Sequence, residues 1–295
     1  MGIKQNLKRI LLRINSDLTD LLYRRPYRDA EAGERKRSKD KLLHLDLVIT
    51  ECCTRKCRDC SNLMQYYKSP ENIPDITVIN DLSRVLDCVR VGELKVLGGE
   101  PFVNQQLIIK LMQFLSADYA DKVDRINIIT NGTVIPYDDC IEAIKANSKA
   151  EVTFSNYGLV SCHQDEFVDL LKNNGIPYTI VNGTYTWFDF GRPDKYYESE
   201  EFVQRQYKHC YNRKNCNTLY RGGFYVCPRQ AHGIHLELLP NSEDEYVDIN
   251  DFHITTNDEL RERIMKLIRR NQHISACHYC IYGKYIHVPR GVQQP

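Results

Sequence analysis

Residues 51–62 read ECCTRKCRDCSN, directly after the apolar run LHLDLVIT at residues 43–50. Four of the chain's 12 cysteines lie in this stretch. Cys53, Cys57 and Cys60 have the spacing C-x3-C-x2-C. Three thiolates so close together in one loop can wrap one metal centre, and cysteine is the usual ligand of iron–sulfur clusters. A structural zinc site would want four ligands arranged as two close pairs. With three ligands, one metal position stays open to another molecule, as in catalytic zinc sites. Cys52 immediately precedes Cys53, and neighbours on an extended segment point to opposite sides; it is therefore assigned to packing.

Outward from this loop the chain is rhythmic. LHLDLVIT, ELKVLGGEP, DRINIITNGT, EVTFSNYG and PYTIVNGT read as strands. Between them ITVINDLSRVLDCVRV, QLIIKLMQFLSADY, DDCIEAIKANS and HQDEFVDLLKNNG have helical spacing, the last ending on a Gly cap. This alternation predicts an α/β fold with a parallel sheet. The loops after the strands hold the unusual chemistry: the cysteines, then Gly98-Gly99-Glu100, then Thr130-Asn131-Gly132, with Ser155-Asn156 on the fourth strand. Ligands of parallel α/β folds bind at the carboxyl ends of the strands, so all four features belong to one rim.

The flanks read differently. Residues 1–22 carry apolar residues at helical spacing, with Lys4, Lys8, Arg9 and Arg13 among them, and residues 23–41 are a charged arm. After residue 190 the rhythm stops in a polar, Tyr-rich segment. RGGFYVC then reads as a hairpin or strand leaving a Gly turn, and NDELRERIMKLIRRNQ as a helix. Cys210, Cys216, Cys227, Cys277 and Cys280 lie here, as expected of a small metal-stapled domain. His232 and His235 are candidate proton carriers. Arg229 is a candidate for a substrate carboxylate or phosphate, or else a surface charge. Cys88, Cys140 and Cys162 are expected to be small core residues.

Composition narrows the class. Lys+Arg number 40 against 39 Asp+Glu in 295 residues, a net charge of +1 that gives no argument for nucleic acid. No long apolar run suggests a membrane span. Twelve thiols without a secretory signal point to a reducing, cytoplasmic setting, where clustered cysteines are more often metal or cluster ligands than disulfides.

Taken together, Cys53-x3-Cys57-x2-Cys60 after the first strand, Gly98-Gly99-Glu100-Pro101 after the second and the IITNGT tract resemble the radical S-adenosylmethionine (SAM) enzymes over roughly residues 43–190. The resemblance implies a partial (β/α)6 TIM-type barrel in which Cys53, Cys57 and Cys60 hold a [4Fe–4S] cluster. Its open iron would bind SAM, whose reductive cleavage gives a 5′-deoxyadenosyl radical that takes hydrogen from substrate. It further implies that Gly98, Gly99 and Glu100 meet the methionine amine, with Ser155 and Asn131 as further SAM contacts, and that an external donor such as flavodoxin or ferredoxin supplies the electron. The family often has an aromatic residue before the third cysteine, where this chain has Asp59; Tyr66 or Tyr67 is the substitute considered.

The C-terminal part is similar to the Twitch and SPASM extensions of such cores. The resemblance implies domains at 1–41, 42–200 and 201–295, with Cys210, Cys227, Cys277 and Cys280 holding one auxiliary [4Fe–4S] cluster. Cys216 is either a ligand or a free thiol that returns a hydrogen atom, and a zinc ribbon is the alternative use of the set. The candidate catalytic residues are thus Cys216, His232 and Arg229. The expected activity is dehydrogenation, epimerisation or dehydration of a small polar substrate such as a sugar, sugar nucleotide or aminocyclitol. Peptide maturation is the second reading, and a zinc or electron-transfer protein the non-enzymatic one.

Overall fold

The computed structural model describes residues 40–181 and 186–294. The amphipathic stretch 1–22 and nearly all of the charged arm lie outside them. Four strand–helix units come first: β1 (Lys41–Val48), α1 (Asp75–Cys88), β2 (Arg90–Leu97), α2 (Gln105–Ala117), β3 (Val123–Thr130), α3 (Asp138–Ala146), β4 (Ala150–Ser155) and α4 (Gln164–Asn173), followed by β5 (Tyr178–Val181). Neighbouring strands of this series pair in parallel, in the order β5-β4-β3-β2-β1. The expected Gly cap is Gly175, which follows α4 at φ 68°.

Side chains alternate across each strand. On β1, Leu45 and Leu47 are fully buried, in the same core as Leu82, Val85 and Leu86 of α1. The opposite face carries His44, Asp46 and Val48, whose register partners on β2 are Glu93, Lys95 and Leu97. One face of the sheet is thus an apolar contact with helices, and the other a polar barrel interior.

The sixth parallel strand does not follow β5. It is β7 (Thr218–Tyr220), which joins the free edge of β1 with Asp46 opposite Thr218. β8 (Gly223–Tyr225) and β9 (Tyr246–Asp248) continue the sheet antiparallel, making eight strands in all. The RGG signal is the β7–β8 turn: Arg221 and Gly222 take φ 47° and 77°, the left-handed pair that a tight hairpin needs. β6 (Thr186–Phe188) pairs with β10 (His287–Pro289) in a separate ribbon.

The Tyr-rich segment is more regular than its composition suggests. It contains α5 (Glu200–His209) and the short α6 (Tyr211–Asn215), and Ser199 caps α5 by accepting a hydrogen bond from Phe202 N at 3.2 Å. The helices α7 (Pro228–His235) and α8 (Asn257–Ile268) complete the fold, and α8 packs on α1. Among the described residues, no helix is long and apolar enough to cross a membrane.

One buried carboxylate ties the two halves together. Asp81 on α1 accepts from Gly222 N at 2.7 Å and Asn250 Nδ2 at 3.1 Å. Asp81→Ala leaves the Gly222 N–H without its buried partner, a loss of about 1–3 kcal/mol. The expected result is a lower urea midpoint at unchanged m-value.

Candidate active site

The cysteine loop is seated on the Gly98-Gly99 turn. Gly99 N donates to Thr50 O at 2.9 Å, and Glu100 N to Cys52 O at 2.8 Å. A Cβ on Gly98 would stand 2.3 Å from Thr50 O, and one on Gly99 2.3 Å from Cys52 O and 2.8 Å from the Cβ of Cys53. The glycines are needed for the approach of one loop to another, in addition to any approach of a ligand.

Cys53, Cys57 and Cys60 line one cavity of about 360 Å³ together with Gly98, Gly99, Thr130, Asn131 and Ser155. Cys52 faces elsewhere, its Sγ 3.4 Å from Pro70 O. Burial pushes the Cys53 thiol up to about 12 and raises those of Cys57 and Cys60. Bare thiols here hold their protons, and a bound metal would replace those protons as the source of positive charge. Three partly or fully buried thiols around one open cavity are a donor set that fits a cluster with one iron left for a ligand.

Glu100 is fully buried, and its carboxylate serves the neighbouring loop. It accepts from Thr130 Oγ1 and Asn131 N, both at 2.8 Å, and from Phe102 N at 3.2 Å. Burial raises it to about 7. Glu100 thereby holds Asn131, whose Nδ2 donates to Thr54 Oγ1 at 3.2 Å beside Cys53. Asp59 lines the cavity next to Arg58, whose Nη2 is 3.0 Å away.

The aromatic surface comes from Tyr157, Trp187, Phe188 and Phe190, which the motifs do not reveal. Tyr157 and Trp187 meet edge to face at 5.3 Å. The dense TWFDF run is the available signal. Tyr67, considered as the substitute, is buried instead in a chain with His232 and Tyr220: its hydroxyl lies 2.7 Å from His232 Nδ1 and 3.0 Å from the Tyr220 hydroxyl. Another unforeseen contact is the antiparallel bridge of Cys57 with Gln293. Arg58 N donates to Val292 O at 2.7 Å and Gln293 Nε2 to Cys57 Sγ at 3.3 Å.

A second cavity is lined by Cys210, Cys227, Cys277 and Cys280. Their thiols are raised by burial, to about 12 for Cys210 and about 11 for Cys280. Gln206 fixes the C-x2-C loop, donating to both Cys277 O and Cys280 O at 3.1 Å. Four thiols in one enclosed space fit a fully ligated cluster, with zinc the competing occupant.

Arg229 lines the same cavity at 2% exposure, so it is not on the surface. It donates to Gly191 O at 2.8 Å and Tyr279 O at 3.1 Å, while its buried Nε has no partner among the described residues. Its charge acts on Cys60 as well as on Cys227 and Cys280. A buried cation is costly without anions nearby, and metal-bound thiolates on either side would supply them.

Cys216 does not line the four-cysteine cavity. It is half-buried beside Asp46 and Lys95, which form an ion pair at 3.3 Å on the inner face of the barrel, and desolvation raises its thiol well above the usual value. Lys95 also donates to Asn215 O at 2.8 Å. His232 is fully buried on α7, and His235 is 3.3 Å from Glu51. Cys88 and Cys140 are core residues, but Cys162 is exposed: it lies in the turn before α4, with Arg55 Nη2 3.7 Å from its Sγ.

Residues 45–172 match the family described as a 4Fe-4S single cluster domain. Native anSMEcpe with bound AdoMet superposes with a TM-score of 0.50 at 15% identity, over 77% of this chain and 82% of that one. By fold and by motif, the chain is similar to the radical SAM enzymes. Other similar structures include anSMEcpe with bound AdoMet and Cp18Cys peptide (20% identity, 48% of this chain and 42% of that one, TM-score 0.38). BtrN in complex with AdoMet and 2-DOIA gives 14%, 82%, 94% and 0.49 for the same quantities. Against the peptide-bound anSMEcpe structure, this chain spans less than half of the relative's length. No curated protein sequence matches it significantly.

Two outcomes check this site. Gly99→Ala should lower cluster iron on anaerobic reconstitution because the added Cβ lifts the cysteine loop, and single Cys53, Cys57 or Cys60→Ala changes should lower it because each removes a thiolate. His232, pushed down to about 3 by burial, refuses a proton that the unfolded chain accepts near 6.5. The stability from this group is therefore full above pH 6.5 and falls as pH drops toward 3. In His232→Gln that component of the stability-versus-pH slope should vanish in denaturant titrations.

Proposed function

We propose that this protein is a radical SAM enzyme that abstracts hydrogen from a small polar substrate, and that its reaction is an epimerisation. The observation that supports the substrate class is the barrel interior. Leu97, Ile129 and Ser155 line the SAM-side cavity. Two residues deeper on the same strands, alternation places Lys95, Asn127 and Thr153, then Glu93, Arg125 and Glu151. Glu93 bonds to His44 at 2.9 Å and Asn127 at 3.0 Å, and the His44 contact above all holds its carboxyl down at about 2. Donors and acceptors in layers suit a polyhydroxyl or amino substrate.

When bound, SAM and the clusters supply reductive cleavage to a 5′-deoxyadenosyl radical and an electron on the four-cysteine side. The chain's own residues do the rest. Cys53, Cys57 and Cys60 anchor the first cluster, and Gly98, Gly99, Asn131 and Ser155 hold SAM. Tyr157, Trp187, Phe188 and Phe190 exclude water from the cavity. Cys210, Cys227, Cys277 and Cys280 hold the second cluster, and Arg229 supplies the positive charge between the sets. Cys216, separate from that set and on the barrel's inner side, gives its S–H hydrogen atom to the substrate carbon radical from the face opposite abstraction; the thiyl left on Cys216 would be restored by one electron from the four-cysteine side and a proton from solvent.

Reduced enzyme with SAM should form 5′-deoxyadenosine and take deuterium from a C–H-labelled sugar or aminocyclitol; uptake only from a labelled peptide overturns the substrate class. Cys216→Ala should keep its iron and still form 5′-deoxyadenosine, yet lose solvent-deuterium incorporation into product by at least about 100-fold, the scale of a lost proton- or atom-transfer group. Loss of second-cluster iron in this variant would instead make Cys216 a ligand.

A further inference from the structure

We infer that Glu200, His273 and His278 form a divalent-metal site, separate from both cysteine sets and best suited to zinc. The ligand atoms of the three residues lie within 4.8 Å of one another. Glu200 Oε2 is 3.3 Å from His273 Nε2, and Glu200 Oε1 is 3.6 Å from His278 Nε2. Two ligands each about 2.0–2.1 Å from a tetrahedral zinc stand roughly 3.3–3.4 Å apart, so the first spacing matches an edge of the coordination tetrahedron and the second is slightly longer than one. Two imidazoles and one carboxylate leave the fourth position for water.

The surroundings support ligation. Gln204 Oε1 lies 3.1 Å from His273 Nδ1 and also accepts from His273 N at 3.0 Å. Gln204 Nε2 donates to Asn271 O at 2.6 Å, which fixes the amide so that its oxygen faces the ring. His273 Nδ1 is therefore the donor, and the Nε2 lone pair of the neutral ring is directed at Glu200. An imidazole held by an outer acceptor in this way is the usual arrangement of a metal-binding histidine. The lone pair of His273 Nε2 facing a carboxylate oxygen is repulsive unless a proton or a metal cation lies between them, and the second imidazole at the same carboxylate favours the metal. Both rings are one-fifth exposed, and Glu200, on the first turn of α5, leaves a path for entry.

The position gives the metal a structural task. Glu200 opens α5, the helix that ends at Cys210. His273 and His278 flank Cys277 within the loop that also carries Cys280. A metal there would clip the helix leading to one cysteine onto the loop bearing two others. The site uses none of the cysteines, so it stands whether they hold iron or zinc.

The test uses the cluster-loaded, full-length protein, dialysed against a weak chelator and titrated with Zn²⁺ alone, with iron and zinc counted together. The expected result is one zinc per chain with iron unchanged. Zinc affinity should fall at least about tenfold in Glu200→Gln, a change at an exposed helix start that the fold tolerates, and about 10–100-fold in Gln204→Ala. Co²⁺ in place of zinc should show no thiolate-to-metal charge-transfer band. Zinc bound equally by His273→Ala, Co²⁺ bands of thiolate type, or no zinc retained would each overturn the site.

Discussion

The cysteine loop and the Gly98-Gly99 turn share a boundary with no room for a side chain. That constraint governs the candidate active site. The two backbone hydrogen bonds to Thr50 O and Cys52 O set the loop's height above the barrel, and the absent Cβ atoms let it settle there. Glu100 extends the constraint sideways, because its buried carboxylate holds Asn131 and Thr130 of the next loop. Three strand ends thus form one rigid rim. The placement of the cysteines is inherited from backbone packing before any metal arrives.

Below that rim the barrel is unusual in its charge. Interiors of small α/β barrels are commonly filled by branched apolar side chains. Here the inner face carries the Asp46–Lys95 pair at 3.3 Å and the buried Glu93, bonded to Asn127 at 3.0 Å. Such groups are costly to bury and do not improve a core. Their retention is understandable if they serve a ligand that brings complementary polar groups. The buried Arg229, whose Nη2 bonds to two carbonyls, follows the same logic between the two cysteine sets.

The sheet was legible because its signals are local. Period-2 apolar runs, helical spacing and the Gly turn at residue 222 each act over a few residues. The three-cysteine loop was legible because its ligands are contiguous. The aromatic wall was harder, since Tyr157 and Trp187 come from segments 30 residues apart and meet only through folding. Helix α5 gives little signal because its inner face is Val203, Gln206 and Tyr207, a stripe that is only partly apolar. The edge position of β7 depends on which side of β1 is free, and no local pattern states that. Cys162 carries no sign in its neighbours of the turn that exposes it.

The bridge between Cys57 and Gln293 spans 236 residues of sequence. The first cysteine loop forms early along the chain, yet its outer wall is supplied by a segment that comes near the end. Val292 and Gln293 therefore wall one side of the Cys57 loop. Two stretches far apart in sequence must both be in place before the three thiols share one enclosed cavity, so the shape of the site reports on the folding of the whole described chain and not of its first loop alone.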